Sequence, residues 1–347
     1  MLTLNTSITY PLLLIKSTTK RSFEGLGRII KKSGDTAKRL LMPAAMNMII
    51  IEQIAQNIFA EETALTLSID DTLVSKIYSK IMHGAGRFFD NKLGKKITSY
   101  RLMVGALTNG KNTIPIGHDV IFDKDLLTEG QTVATKLDVI KIFLARAQKL
   151  FPNTKIKIAM DGAFATIEIL TWALANKVEL DVRMHKNRKV TLKNGKVCKI
   201  ADIPKITPRG RQMARTVIAE WHGLQLYITA ERRIDKHGSE SVVFIASTYE
   251  ARPRQYLDAY LLRWPIEKFF RTSKQHLGLQ ECFSTKLKTQ QDHFSSVMLA
   301  YSIAQLEMNN QRFDTPEKAI RQLKLKNTHH LIDRFARLDR IFGDVYA

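Results

Sequence analysis

Four residues in the last third of the chain have types and spacing that suit metal and phosphate chemistry: Tyr260, Arg263, Glu267 and Lys274. Their separations of three, four and seven residues would align them along one face of a single helix, as a polar stripe on a segment rich in apolar residues. A carboxylate held among cationic side chains stays ionised and can bind a metal, while the cations can bind phosphate. The pattern therefore indicates a site for a phosphodiester.

A simpler interpretation is a surface helix in which Arg263, Glu267 and Arg271 form a ladder of ion pairs at spacings of four. Against it, Trp264 and two phenylalanines lie among these charges, and an exposed ladder does not need them. We therefore favour a functional stripe over a solvated one.

Pro265 leaves two geometries open for this segment. It removes one backbone donor and disfavours a helical conformation at the preceding residue, so a single helix would bend there. Alternatively, Pro265 lies in the first turn of a new helix. Glu267 and Lys274 would then keep a common face, while the tyrosine and the first arginine would approach from the preceding segment.

Carboxylates also follow two segments that we predict to be strands. Asp70 and Asp71 follow the alternating stretch 65–69, and Asp161 follows the stretch 156–160. In open α/β sheets, sites form where adjacent strands end, so these side chains can meet although about ninety residues separate them. Alternation along the strand does not decide whether Asp70 or Asp71 faces such a site.

A helix that delivers Glu267 to the same edge would complete a set of three carboxylates. Three such groups would repel one another by several kcal/mol, at an effective dielectric constant of roughly 20, unless cations neutralise them. Oxygen ligands favour Mg²⁺ or Mn²⁺. Two divalent ions about 3.5 to 4 Å apart could activate a water or a 3′-hydroxyl and stabilise the leaving oxygen.

The elements that must position these residues alternate in an α/β pattern. Periodicity predicts strands at 65–69, 100–107, 113–122, 156–160 and 178–184, and helices at 137–150 and 166–175. The sequence of residues 20–42 predicts two short basic helices around Ser33, Gly34 and Asp35. These helices would form either a helix-turn-helix or a helical hairpin that packs on the next domain. Residues 43–60 predict a further helix, and 295–306 should be buried.

A basic stretch separates the predicted sheet from the polar stripe. Residues 183–215 hold eleven Lys and Arg side chains and one acid, Asp202. Such a run is usually a solvated loop, but strand-like segments follow near 216–218, 224–230 and 241–245. We interpret the whole as an inserted β subdomain with a basic rim.

Composition points to a polyanionic partner. The chain has 54 Lys and Arg against 33 Asp and Glu, a formal charge of +21 that favours nucleic acid. No apolar run is long enough to span a bilayer and no signal peptide is evident, so we expect no membrane partner and a cytoplasmic protein. Cys198 and Cys282 are too few and too isolated for a zinc site or a disulfide framework.

The residues quoted above resemble those of the DDE transposases of bacterial insertion sequences, in the branch with a Y-(2)-R-(3)-E-(6)-K signature. The resemblance spans about residues 63–285 and implies a ribonuclease-H-like mixed sheet flanked by helices, with an inserted β subdomain and helical N- and C-terminal parts. It implies that Asp71, Asp161 and Glu267 bind two Mg²⁺ (or Mn²⁺) ions per active site. Asp71 is preferred because it directly precedes Thr72.

The resemblance also implies that Tyr260, Arg263 and Lys274 contact DNA phosphates, with Arg271 as a further DNA-binding residue. The expected regions are a basic helical candidate DNA-binding part at 1–62, the first part of the ribonuclease-H-like catalytic domain at 63–184, the basic β-rich insertion at 185–250, the catalytic-domain helix with the signature at 251–285 and C-terminal helices at 286–347.

The implied activity is cut-and-paste DNA transposition. A metal-dependent endonuclease would hydrolyse the phosphodiester at element ends and transfer the freed strand into target DNA, as a dimer in a synaptic complex near the bacterial nucleoid. The alternative is a catalytically inactive, transposase-derived protein that binds double-stranded DNA. A ribonuclease-H-like nuclease acting on RNA or branched DNA ranks last, because it has no use for the signature or the basic insertion.

Overall fold

The computed structural model describes residues 8–79, 81–123, 133–208, 214–234 and 237–326. Within these ranges the strands form a mixed sheet flanked by helices, as the sequence predicted, and the sheet has eleven strands. The chain forms two compact units. The first comprises residues 1–62, 71–152 and 266–347, and the second comprises residues 63–70 and 153–265.

The helices in chain order are α1 (Thr9–Lys16), α2 (Phe23–Ile29), α3 (Gly34–Arg39), α4 (Ala44–Ile58), α5 (Lys136–Leu150), α6 (Ile167–Ala175), α7 (Pro253–Leu261), α8 (Trp264–His276), α9 (Leu287–Gln311) and α10 (Pro316–Leu325). The strands are β1 (Ala64–Ser75), β2 (Gly86–Asp90), β3 (Lys95–Thr108), β4 (Thr113–Ile121), β5 (Lys155–Met160), β6 (Leu180–Met184), β7 (Lys189–Leu192), β8 (Val197–Lys199), β9 (Ala214–Trp221), β10 (Leu224–Ile234) and β11 (Glu240–Ser247).

The first unit is built around α9, which is buried along most of its length, including the predicted stretch 295–306. A helix that is enclosed on every side needs neighbours all round, and α1, α4, α10 and β4 supply them. The two short basic helices predicted near the N-terminus are α2 and α3, and the Ser33 side chain accepts a hydrogen bond from the Thr36 backbone as the N-cap of α3. The predicted C-terminal helices beyond residue 326 lie outside the described residues.

The second unit is a sheet with parallel and antiparallel pairs. β5 pairs in parallel with both β1 and β6, and β6 pairs antiparallel with β11. The sheet then continues through β10, β9, β7 and β8. The strands of the predicted β insertion thus extend the sheet to which β5 and β6 belong. The part of the basic stretch at 209–213 lies outside the described residues.

One local prediction was wrong, and one alternative that the sequence left open is decided. The first strand does not stop at Ile69 but continues to Ser75, because ion pairs hold both aspartates in extended backbone where turn formation had been expected. The segment that carries the signature is not one helix, since α7 ends at Leu261 and α8 begins at Trp264. Pro265 therefore lies in the first turn of a new helix, the second of the two geometries considered from the sequence.

No helix in the described ranges is both long and apolar enough to cross a bilayer.

Candidate active site

Two carboxylates in the second unit follow paired positions of neighbouring strands. β1 and β5 run parallel, and their last paired residues are Ile69 and Met160. Asp70 and Asp161 are the next residues along each strand, and neighbouring strands are about 4.8 Å apart. Asp161 directly follows β5 with an extended backbone and is the N-cap residue of a short 3₁₀ helix. The register thus makes Asp70 the strand neighbour of Asp161.

Arg263 connects this sheet edge to the turn between α7 and α8. Its Nη1 lies 3.5 Å from Oδ2 of Asp70, and both groups belong to the second unit. The Ser68 hydroxyl donates a hydrogen bond of 2.6 Å to the carbonyl of Leu262, which fastens the same turn to β1. The predicted arginine is therefore held at the end of the β1–β5 pairing, although it lies outside α8.

Tyr260 is buried beneath that arginine. It is 2% exposed and packs with Ile245 and Leu257, while the Arg263 guanidinium lies 5.6 Å from its ring centre. Burial raises the pKa of the Tyr260 hydroxyl, nearby Arg263 opposes that rise, and Asp161 adds to it. The tyrosine, the arginine and Asp161 therefore share one electrostatic environment.

Asp71 forms ion pairs with two basic residues of the first unit. Its Oδ2 lies 3.0 Å from the Lys136 ammonium and 3.8 Å from Nε of Arg101. Alternation along β1 directs successive side chains to opposite faces. Because Asp70 pairs with Arg263 and Asp71 with Lys136, the two adjacent aspartates have separate surroundings.

The other signature residues lie on α8 in the first unit. Glu267 is in the first turn and Lys274 in the last, and Arg271 between them is exposed. The Lys274 ammonium donates a hydrogen bond of 2.7 Å to the Thr72 hydroxyl. Burial lowers the pKa of Lys274; nearby Lys92 lowers it further.

A cleft of about 540 Å³ in the second unit opens beside Asp161. Arg183, His185 and Lys186 contribute to its wall, and all three are exposed. These three basic residues were not among the site residues predicted from the sequence. The signal was present, since β6 follows β5 through a helix and the ends of such parallel strands lie side by side.

The donor types in these surroundings can be compared with the needs of a divalent cation. Among the described residues, no group of three or more His, Cys, Asp or Glu side chains could hold a metal ion. Asp70 and Asp161 nonetheless supply carboxylate oxygens from neighbouring strand positions, and Mg²⁺ prefers such ligands. The available ligands are of the kind that a hard cation prefers, while basic side chains form ion pairs with Asp70 and Asp71.

Comparison with known proteins gives one result on the family. No curated protein matches the chain. The family model described as the transposase DDE domain matches residues 130–303, half of the 347 residues. The match contains Asp161 and the segment from Tyr260 to Lys274, while Asp70 and Asp71 precede it. Because this match covers half of the chain, the chain belongs to the transposase DDE domain family.

Proposed function

We propose that this protein is a cut-and-paste DNA transposase that hydrolyses phosphodiester bonds at element ends and joins the freed 3′-hydroxyl to target DNA. The observation that carries the proposal is the position of Asp161. It lies in the matched family region, follows the strand partner of Ile69, and contributes to the environment of Tyr260 beside Arg263. An acid beside a buried arginine and a basic cleft suits phosphodiester chemistry.

In this proposal Asp71, Asp161 and Glu267 hold two Mg²⁺ or Mn²⁺ ions. When bound, such ions supply Lewis-acid activation of the nucleophile and stabilisation of the leaving oxygen. Asp71 is preferred as the first ligand because it directly precedes Thr72. Asp70 is the alternative, because the β1–β5 register supports it. Asp70 or Asp71 would exchange its ion pair with a basic side chain for a bond to the metal ion.

The chain's own cations bind and orient the DNA. Arg263 carries a planar fork that suits bidentate contact with a phosphate, and its ion pair with Asp70 holds that fork at the sheet edge. Tyr260 supports the guanidinium from below, since it is almost fully buried. Lys274 supplies a point charge, and Arg271 is exposed for a further DNA contact.

The partner in this proposal is double-stranded DNA, both at the element ends and at the target. Two ends must be brought together for cut-and-paste transfer, so we propose a dimer as the synaptic form. The charge of +21 supports a polyanionic partner without deciding which sequence is bound.

The test is a nicking assay with Mg²⁺ on the duplex that flanks this reading frame. Asp161→Asn and Glu267→Gln should each abolish nicking and leave DNA binding nearly unchanged. Asp258→Asn, which alters an exposed carboxylate on α7, is the matched control and should retain full activity. Binding without nicking by the unaltered protein, in either Mg²⁺ or Mn²⁺, would instead identify a DNA-binding relative without catalysis.

A second comparison separates the two strand aspartates. If Asp71 is the metal ligand, Asp71→Asn abolishes nicking, while Asp70→Asn weakens DNA binding by releasing Arg263 from its ion pair. If Asp70 is the ligand, the loss of nicking follows Asp70→Asn instead. Full nicking by both variants would remove β1 from the catalytic assignment.

A further inference from the structure

The hairpin formed by β7, β8 and the connecting residues 193–196 is unusually basic, and we call it the basic ribbon. Lysines lie at both ends and in the turn, and all four are exposed: Lys189, Lys193, Lys196 and Lys199. From residue 183 to residue 201 the sequence contains no acidic residue. The proposed function does not assign any of these side chains.

The strand register brings like charges together across the ribbon. Lys189 pairs directly with Lys199, and Thr191 pairs with Val197. Side chains two residues apart share a face, so both pairs lie on the same side. Directly opposed like charges destabilise a strand pair. Folding alone does not favour this placement, whereas an anion between the two ammonium groups would.

The opposite face anchors the ribbon. Val190, which pairs with Cys198, is buried on that side. At the base of the ribbon, the Arg188 guanidinium donates a hydrogen bond of 2.6 Å to the Ala165 carbonyl and stacks 4.7 Å from the ring centre of Trp221. The lysine face is therefore carried on a fixed support within the second unit.

The lysine face is not purely basic. Glu220 on β9 pairs with Thr191 and is exposed, so one carboxylate shares this side of the sheet. Val197, which is 60% exposed, lies between the lysine pair and the turn. The charge is concentrated at the Lys189–Lys199 end and at the turn, a spacing that suits an extended polyanion better than a single small anion.

We propose that the basic ribbon binds the backbone of duplex DNA, with Lys189 and Lys199 on either side of phosphate groups. This inference rests on the proposed function for the identity of the polyanion. Opposed side chains start from Cβ atoms about 4.5–5.5 Å apart, so both ammonium groups can reach neighbouring phosphates. Contacts of this kind position DNA without reading its sequence, and the ribbon therefore binds element-end and unrelated duplexes alike.

The test measures binding of two labelled duplexes, one from the element end and one unrelated, over a range of salt concentrations. For Lys189→Gln/Lys199→Gln, the slope of log affinity against log salt should fall by about 1.8 for both duplexes, at about 0.9 per phosphate contact. The corresponding loss of affinity is about 30-fold at roughly 0.15 M salt. Lys189→Arg/Lys199→Arg keeps the charge and should keep the slope.

Lys141→Gln/Lys149→Gln removes the same charge from two exposed positions on α5 and is the matched control. An equal loss of slope in this control, or an unchanged slope in the ribbon variant, would overturn the inference. A loss confined to the element-end duplex would contradict the sequence-independent contact.

A stability measurement distinguishes a misfolded ribbon from an intact one. Lys199→Glu creates opposite charges across from Lys189, so its thermal midpoint should equal or exceed that of the unaltered protein while its DNA affinity falls. A lower midpoint together with the affinity loss would overturn the inference, since the lysine pair would then serve the fold.

Nicking at saturating protein separates this inference from the proposed function. The Lys141→Gln/Lys149→Gln control should nick at the unaltered rate once all DNA is bound. If no form of the protein nicks DNA but the ribbon variant still loses its salt slope, the proposed function fails and the ribbon remains a DNA-binding element.

Discussion

Asp181 provides the sharpest test of the electrostatics inside the second unit. It lies on β6 and is completely buried, and it accepts hydrogen bonds from the hydroxyls of Ser247 and Tyr249. Burial raises the pKa of Asp181 from 3.8 to about 7, and the two hydrogen bonds and nearby Lys157 only partly oppose that rise. This buried acid therefore takes up a proton near neutral pH.

The sign of the effect on stability follows from proton uptake. Between about pH 4 and pH 7 the folded protein retains the Asp181 proton while the unfolded chain has lost it. Stability contributed by this group is therefore greatest below about pH 4 and declines as the pH rises toward 7. At about 1.36 kcal/mol per pH unit, the decline is about 4 kcal/mol.

Asp181→Asn replaces the acid with a neutral side chain of the same shape that can still accept from one hydroxyl and donate to the other. The free energy of unfolding can be measured by urea denaturation at several pH values between about pH 4 and pH 8. The free energy of unfolding of the variant should exceed that of the unaltered protein by an amount that grows as the pH rises, up to about 4 kcal/mol. Asp258→Asn, at an exposed carboxylate, should show no such trend. A variant that instead loses stability at higher pH would show that Asp181 is charged and stabilised by Lys157, and would refute the reasoning.

Three further outcomes are expected in the first unit. A Cβ at Gly105 would lie 2.6 Å from the Phe143 ring, so Gly105→Ala should lower the free energy of unfolding by about 1–3 kcal/mol. Adding Phe143→Leu to this variant should restore part of the lost free energy. Burial lowers the pKa of Lys76 to about 8, so stability should rise between about pH 8 and pH 10, and Lys76→Met should abolish that rise in urea titrations. Thr135→Ala removes the capping box with Asp138 at the start of α5 and should lower the thermal midpoint through a loss of about 1 kcal/mol.

The repeating α/β order was predictable because its signals are local. Leu137 to Leu150 follows helical periodicity, and the helix observed is Lys136–Leu150. The stretch 156–160 alternates, and the strand observed is Lys155–Met160. Buried faces impose these periods directly on the sequence. The transposase DDE domain was likewise recognised from the residues, since Asp161 and the segment around Glu267 lie in the matched region.

The course of β1 was not predictable in the same way. Two adjacent aspartates usually favour a turn, and the sequence does not reveal that Asp70 and Asp71 each have a cationic partner distant in the chain. The short strands β7 and β8 were missed for another reason, because the run of lysines concealed them. Asn194 and Gly195 between them are a strong hairpin signal, and Gly195 adopts φ +78° in the turn.

The helix break had a clear sequence signal in Pro265, but its consequence for the site required the structure. Because α7 ends at Leu261, Arg263 lies in the turn, where it pairs with Asp70. On a continuous helix, the direction of the Arg263 side chain would be fixed by the same helix that directs Glu267. The break therefore lets the arginine and the glutamate be positioned by different elements, which explains why the signature spacing need not describe one helical face.

The net charge of +21 includes basic residues that should not contribute to DNA binding. Arg188 and Lys76 donate hydrogen bonds to backbone carbonyls, and burial lowers the pKa of each. Such groups hold the fold together and release no counterions when DNA binds. Lys189 and Lys199 face one another on an exposed strand pair, so a bound phosphate relieves their repulsion as counterions leave. The total charge should therefore overestimate the salt dependence of DNA binding, because basic residues such as Arg188 and Lys76 add to that charge without releasing counterions.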